Sequence, residues 1–521
     1  MRTQPTTRYY RLHQSASFEA LYETIRVSGL RIAALTASKE QKVLYDTFEW
    51  QAYTKGVAVV KKQRILTLVD LELGRETCAV PCAKNLSSFF AESLPASPLQ
   101  ETLKTCSTIR AFSALCTLET RSDTFRLLNE NDKTIAILHG ETLCLVEREY
   151  CQQPFMLLLK IVPLRGYEEE MTPIMEAVAQ HAAVTNVLTF RELFLSIMQE
   201  AKLQVQGYSA KIQLTLNPEA PIHESARQLL QSTFAVMRVN EEGIKKNIDS
   251  EFLHDYRVAI RRTRSVMKQL KGVFAQHEAA YFLALFREFG KRTNELRDSD
   301  VYLLQKERFF TLLPPVLQSS LLLFFKVLAT SRRTLHKRFC RYLASTGYHA
   351  SLHEWEMFIN RSELPEPANA ANAVRPTKDV AVESIKKAWK RVLRNGRAVS
   401  RETTDAELHA LRIDCKKLRY LLEFFASIFP QESIVPVIRQ LKALQENLGD
   451  FVDFAVQRRF LFDRLISMQD DKLLAASMGG LMTTLFQQQE ETRLTFHKTF
   501  RAFDHEETAQ LFHALLTGTP I

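Results

Sequence analysis

Residues 253–264 read LHDYRVAIRRTR and residues 408–419 read LHALRIDCKKLR. The two stretches share Leu253/Leu408, His254/His409, Arg257/Arg412 and Arg264/Arg419 at identical spacing. Arg261-Arg262 in the first is matched in charge by Lys416-Lys417 in the second. On a helix turning about 100° per residue, His254, Arg257, Arg261, Arg264 and Lys268 fall within an arc of about 80°, along a stripe about 21 Å long. Leu253, Tyr256, Ile260, Met267, Leu270 and Phe274 flank it as the core stripe of an amphipathic helix. The second copy sets His409, Arg412, Lys416 and Arg419 beside Leu418, Leu422 and Phe425. A solvated helix face usually mixes signs to gain pairs one turn apart. Between Leu253 and Phe274 there are six Lys/Arg and one acid, Asp255. Unpaired clustering, repeated in a second helix, predicts two related halves that converge on a polyanion.

The charge distribution agrees. The formal net charge of the 521 residues is +10. Residues 1–220 hold 24 Lys/Arg and 24 Asp/Glu, whereas residues 221–521 hold 45 and 35, so the whole excess lies with the repeat. With 46% hydrophobic and 25% charged residues the chain has the composition of a globular protein of two or three domains. No run approaches the roughly 18 apolar residues that a membrane span needs, and the opening MRTQPTTRYYRLHQ has no apolar signal-peptide core. None of the eight cysteines forms a CxxC pair; Cys78 and Cys82 lie four apart with no second pair. The expectation is a reduced, cytoplasmic protein without a disulfide or zinc framework.

The expected fold class is α+β and multidomain. Short β-rich runs at 57–73, 125–149 and 155–164, separated by turn signals, predict an N-terminal antiparallel β-barrel-like domain over 1–205. Helical character is expected within it at 84–94 and 171–201. A polar junction follows at 206–223. Helical periodicity then dominates 224–521, an all-α domain of two pseudo-symmetric bundles, about 224–361 and 379–516. The segment SELPEPANAANAVRPTK (362–378) reads as the linker between them. Residues 432–448 and 451–467 read as separate helices. A second echo supports the duplication: Leu296-Arg297-Asp298-Ser299-Asp300 and Leu448-Gly449-Asp450-Phe451-Val452-Asp453 each lie some 40 residues after the repeated His.

Carried by LHDYRVAIRRTR, NELRDSDV (294–301), LHALRIDCKKLRY and LQENLGDFVD (444–453), the helical part resembles the CHAD family over about 300 residues. The resemblance implies two helical bundles around a basic channel and non-catalytic binding of inorganic polyphosphate. Its ligand-facing residues, carried over, are His254, Arg257, Arg261, Arg264, His409, Arg412, Lys416 and Arg419, with Arg262, Lys268 and Lys417 at the stripe's margins. These types suit phosphate: Arg donates in a fork, Lys supplies a point charge and His a tunable donor. Asp298, Asp300, Asp450 and Asp453 read as groups that cap or orient basic side chains rather than as metal ligands.

The first part is similar to a CYTH domain, a triphosphate-tunnel barrel, through YDTFEWQAYTKGVAVVKKQ (45–63), LTLVDLELG (66–74) and TLETRSDTFRL (117–127). It departs from that family where chemistry resides. The opening strand that should carry E-x-E-x-K reads YYRLH (9–13), and the late strand that should carry paired glutamates reads FMLLLKI (155–161). Without carboxylates to hold a divalent metal, phosphoryl chemistry has no anchor. The resemblance therefore implies a catalytically inert barrel with no cofactor or metal, left either to hold phosphate weakly through Lys61 and Arg121 or to serve as a docking or structural module.

No P-loop, dinucleotide fingerprint, zincin or nucleophile-elbow motif occurs. Two further basic runs, RRTLHKRFCR (332–341) and KKAWKRVLRNGR (386–397), read equally well as channel extensions or solvated faces. Tyr420, Phe424 and Phe425 have the spacing of core residues; as base-stacking aromatics they would serve nucleic-acid binding. The expected partner is inorganic polyphosphate, including its granules, with no membrane partner and nucleic acid disfavoured. A metal-dependent triphosphatase acting through the barrel is the alternative. Replacing Arg257 and Arg412 with Glu is expected to abolish polyphosphate affinity with little loss of folding, read by titration and melting.

Overall fold

A computed structural model describes residues 7–27, 30–147, 150–151, 153–366, 368–400, 402–467 and 471–517. The chain forms two compact units, Met1–Ser209 and Ala210–Ile521.

Among its described residues the first unit has eleven strands: β1 (Arg8–Leu12), β2 (Arg31–Asp46), β3 (Val57–Lys62), β4 (Ile65–Asp70), β5 (Glu76–Pro81), β6 (Ser88–Phe89), β7 (Phe112–Leu128), β8 (Thr134–Glu147), β9 (Tyr150–Cys151), β10 (Met156–Pro163) and β11 (Val184–Leu188). Five helices accompany them: α1 (Phe18–Val27), α2 (Gln51–Thr54), α3 (Pro98–Cys106), α4 (Glu168–Gln180) and α5 (Phe190–Glu200). The sheet is antiparallel in the order β11-β1-β10-β8-β7-β2-β3-β4-β5, with β6 on β7 and β9 on β8. Its spine is the long β2–β7 ladder, which runs from Arg31 opposite Leu128 to Asp46 opposite Ser113. Among the described residues β11 and β5 do not pair, so the barrel-like sheet stays open.

Successive strand residues point to opposite faces. On one face Tyr10, Leu127, Leu138 and Ile161 pack under α1 and α4, and Tyr45, Val59, Leu66 and Leu68 pack against α3. On the other, Leu44, Val60, Val69, Leu118 and Leu143 meet Leu193, Phe194 and Ile197 of α5. Strands from both ends of the sheet, β1 and β4 included, line one cavity that α5 covers, so the sheet curls around it. The helix expected at 84–94 is instead β6 and a short 3₁₀ turn at Ala91–Ser93. The helix forms later as α3, where Pro98 occupies the first turn and the Ser97 hydroxyl accepts from the Gln100 N–H at 3.1 Å. The stretch 171–201 is likewise divided, α4 and α5 being separated by β11.

The second unit is helical among its described residues: α6 (Ile222–Lys246), α7 (Glu251–Gln269), α8 (Gln276–Arg292), α9 (Asn294–Leu304), α10 (Lys306–Thr311), α11 (Pro315–Leu343), α12 (Thr346–Asn360), α13 (Thr377–Arg397), α14 (Asp405–Phe424), α15 (Gln431–Ser467), α16 (Lys472–Phe503) and α17 (Glu506–Thr517). No helix among the described residues is long and apolar enough to cross a membrane. The repeated motifs are the helices α7 and α14. The Asp249 carboxylate caps α7 by accepting from Glu251 and Phe252 N–H at 2.9 and 3.3 Å, and a Thr404/Glu407 capping box opens α14. The halves share a core in which Tyr302, Phe309, Phe324 and Phe325 pack with Leu461, Leu474, Met478 and Leu481.

Two helical expectations need correction. The helix α12 occupies a stretch left unassigned by periodicity. It is held by a buried chain in which Tyr256 and Tyr348 hydroxyls bond at 3.1 Å, Tyr348 donates to Glu241 at 2.7 Å, and Arg238 pairs with Glu241 at 2.8 Å. The break expected near Gly449 is absent, for α15 runs 37 residues through both Pro436 and Gly449. Its packing against α14 and α16 overrides the local helix-breaking tendency.

In each half a glycine admits an aromatic ring: a Cβ on Gly243 of α6 would collide with Phe252, and one on Gly396 of α13 with Phe500. Gly243→Ala is expected to cost ~1–3 kcal/mol of stability by overpacking, despite alanine's better helix propensity. Chemical denaturation of the two proteins measures it.

Candidate anion-binding cleft

The motif helices α7 and α14 lie in contact, and α15 packs along α14. They enclose an open cleft of about 310 Å³. Its walls carry His254, Arg261 and Arg262 from α7 and Arg412, Lys416 and Arg419 from α14. The apolar stripe of each helix faces away: Leu253, Tyr256, Ile260 and Met267 are buried, as are Leu408, Leu411, Leu418 and Leu422. The same 3.6-residue period that buries one face thus delivers six of the eleven anticipated residues to one opening.

Some of these cations have partners. Glu423 bridges the two helices, accepting from Arg419 Nε at 2.6 Å and from Arg262 at 3.3 Å. Arg262 also donates to the Ala210 carbonyl. Arg419 reaches Gln445 of α15 at 3.3 Å, and Gln445 donates to the Cys415 carbonyl at 2.7 Å. Arg412 pairs with Asp453 at 3.0 Å, its guanidinium passing over Gly449, where a Cβ would lie 3.6 Å from Nη2. The buried Nε atoms of Arg261, Arg262 and Arg412 have no hydrogen-bond partner. Arg261 and Lys416 make no hydrogen bond or ion pair with the described residues. Enclosure by the cleft and the nearby Arg412 and Arg261 guanidiniums push the Lys416 ammonium down to about 8. Desolvation, then Arg412 and Lys416, also lower the pKa of His409, which sits exposed at the head of α14.

The remaining anticipated residues go elsewhere. Arg257 turns to the α8–α9 corner, donating to the Gly290 carbonyl at 3.1 Å, to Asn294 at 2.9 Å and to the Thr293 hydroxyl. Burial, with Arg261 nearby, pushes its pKa down to about 10. The expectation that Arg257 is an exposed stripe residue is therefore corrected: its guanidinium closes the corner where one helix ends and the next begins. Arg264 lies near Arg287 of α8, partly desolvated. Lys268 and Lys417 belong to a second basic cleft of about 340 Å³ on another side of α14, with Lys387 and Arg391 from the run 386–397. There Lys417 pairs with Asp414 at 2.8 Å.

The acids behave largely as orienting groups. Asp453 holds Arg412 and Asp300 holds Arg332 at 2.7 Å. Among the described residues no group of three or more His, Cys, Asp or Glu is placed to hold a metal. In the run 332–341, Arg332 is thus paired, Arg338 pairs with Glu295 at 2.9 Å and His336 bonds the Ile244 carbonyl at 2.7 Å. Phe424 and Phe425 are core residues, whereas Tyr420 lines the cleft and stacks on Phe424. Sequence reading missed the third wall, where Lys442, Gln445 and Glu446 of α15 face the cleft. Lys442 and Glu446, one turn apart, have the spacing of an ordinary solvated pair. In the first unit Lys61 and Arg121 are corrected as well. Lys61 points away from the cavity and donates to the Lys84 carbonyl at 2.8 Å, and Arg121 pairs outside it with Glu119. The cavity instead receives Lys42, Lys62 and Lys160, with Glu76 and Glu141.

Arg257→Glu is expected to destabilise the fold by ~1–3 kcal/mol, since it strips the α8–α9 corner of its donor and sets a carboxylate near Asp298. Lys416→Glu is expected to leave the melting temperature within a few degrees of wild type. Thermal melts of both variants check the contrast.

Residues 228–461 match the family model of the CHAD domain. Similar solved structures include the CHAD domain from the plant Ricinus communis, with 20% identity, coverage of 56% of this chain and 95% of that one, and a TM-score of 0.48. Another is PptA from Streptomyces chartreusis, with 15% identity, coverage of 54% and 100%, and a TM-score of 0.43. No curated protein matches the chain. The family match runs from α6 to α15 of the helical unit.

Proposed function

We propose that the protein binds inorganic polyphosphate in the α7–α14 cleft, without chemical conversion. The observation that carries this reading is Arg261 and Lys416 facing one opening without an ion-pair partner among the described residues, although Glu423 and Glu446 also line it and Asp453 acts on Lys416 from nearby. Charges left uncompensated on rigid helices suit a ligand that brings regular negative charge and only acceptors. Preorganised donors also reduce what ordering the ligand costs. Neighbouring Arg262, Arg412 and Arg419 keep part of their donor capacity after pairing, so a phosphate can be added without breaking the pairs that orient them. The CHAD resemblance points to the same ligand. In this reading the protein is cytoplasmic and gathers where polyphosphate does, in granules.

The N-terminal unit, read as a degenerate CYTH-like barrel, performs no hydrolysis. Supporting this, Glu76 in its cavity is engaged with Lys62 at 2.7 Å, and much of the wall is apolar. Tripolyphosphate with manganese or magnesium should release no phosphate above background. Metal-dependent turnover, lost in Glu141→Gln, would replace this reading with a triphosphatase.

Titration of the full chain with long-chain polyphosphate at fixed salt tests the binding site. Arg261→Glu with Lys416→Glu is expected to weaken binding at least 100-fold while melting is retained; unaltered binding would remove the assignment. A pH series adds a second reading. Lys416 loses its charge as pH rises through about 8, and bound phosphate favours the charged form. Affinity should therefore fall between pH 8 and 10, by up to about tenfold per pH unit. Lys416→Arg, which stays protonated, should flatten that fall.

A further inference from the structure

The curled sheet of the first unit holds a cavity of about 130 Å³ that polyphosphate binding in the helical unit does not use. Leu44, Val60, Val69, Leu118, Leu143 and Phe194 supply apolar wall. Polar groups gather in the same space. Lys160 on β10 feels Glu141 and Glu76 as well as the ammonium groups of Lys42 and Lys62. Lys62 is tied to Glu76 at 2.7 Å, and among the described residues Lys42 has only a distant partner in Glu40 at 3.8 Å. Lys160 makes no hydrogen bond or ion pair with the described residues; its ammonium lies 5.9 Å from the centre of the Tyr9 ring.

Three lysines against two glutamates leave one net positive charge, which suits a monoanion. A triphosphate brings several charges and no hydrocarbon, so apolar walls would strip its water without giving anything back. A small acid with a hydrocarbon body satisfies both parts. The volume suits a ring or a short alkyl chain, since an apolar cavity of about 150 Å³ accepts benzene. Pockets of this kind combine apolar walls with a few convergent polar groups. We propose that this cavity binds a small amphipathic carboxylate, its head on the Lys160 and Lys42 ammonium groups and its hydrocarbon against Leu118, Leu143 and Phe194.

Calorimetric titration of the full chain with butanoate, hexanoate, octanoate, benzoate and tripolyphosphate tests this, using wild type, Lys160→Met and Lys42→Met. Melting curves establish that each variant is folded, and the second lysine variant serves if the first is not. The expected result is saturable binding that tightens about fourfold per methylene until the cavity is full. It should weaken at least tenfold in either lysine variant. Affinity independent of chain length, or equal in wild type and both variants, would overturn the proposal. So would tripolyphosphate binding lost in Lys160→Met with no organic-acid signal.

Discussion

Like charges held face to face are the constraint around which the helical unit is built. Near a protein surface, two unit charges about 4 Å apart repel by about 4 kcal/mol. A buried Leu or Ile side chain returns only about 1.5–3 kcal/mol. One apolar contact therefore cannot hold two cationic helices together, and the backs of α7 and α14 bury several apolar side chains each, from Phe252 to Met267 and from Leu408 to Phe424. Glu423 offsets part of the repulsion from a single position, because it touches a cation on each helix. Arg261 and Lys416, which form no ion pair among the described residues, keep a positive potential at the opening.

Duplication did not produce two identical environments. Arg257 and Arg412 occupy the same place in the repeat, yet one fastens a break between helices while the other crosses an unbroken one. In the first half the chain stops at Thr293 and starts again, and Arg257 donates to the Gly290 carbonyl and the Thr293 hydroxyl at that corner. In the second half α15 continues and Asp453 takes the guanidinium. The first arginine is thereby withdrawn into structure and the second stays at the cleft.

Much of this was legible from residues alone. The repeated stripe marked both motif helices, and the change from period two to period 3.6 separated sheet from bundle. What escaped was set by tertiary packing. Lys61 and Lys62 are adjacent on one strand and so face opposite ways, but nothing local says which enters the cavity. Glu141 lies on a strand whose neighbours look apolar, so its inward aim was invisible. Gly449 resembled a helix stop because the packing of α15 against α14 and α16, which carries the helix through it, is a long-range fact. The helix α12 depends on the Tyr348–Glu241 bond, whose partners lie 107 residues apart.

Arg262 and Glu423, which clasp across the cleft, are separated by 161 residues of chain. A nascent polypeptide that has emerged only as far as α12 carries one cationic wall and exposes the aromatic surface that Leu461 and α16 later cover. The facing of the two cationic walls therefore waits on synthesis of the second half, and the shared core forms through contacts of long sequence separation, which are slow to close. The order of translation itself delays closure of the cleft until α14 and α15 have been made.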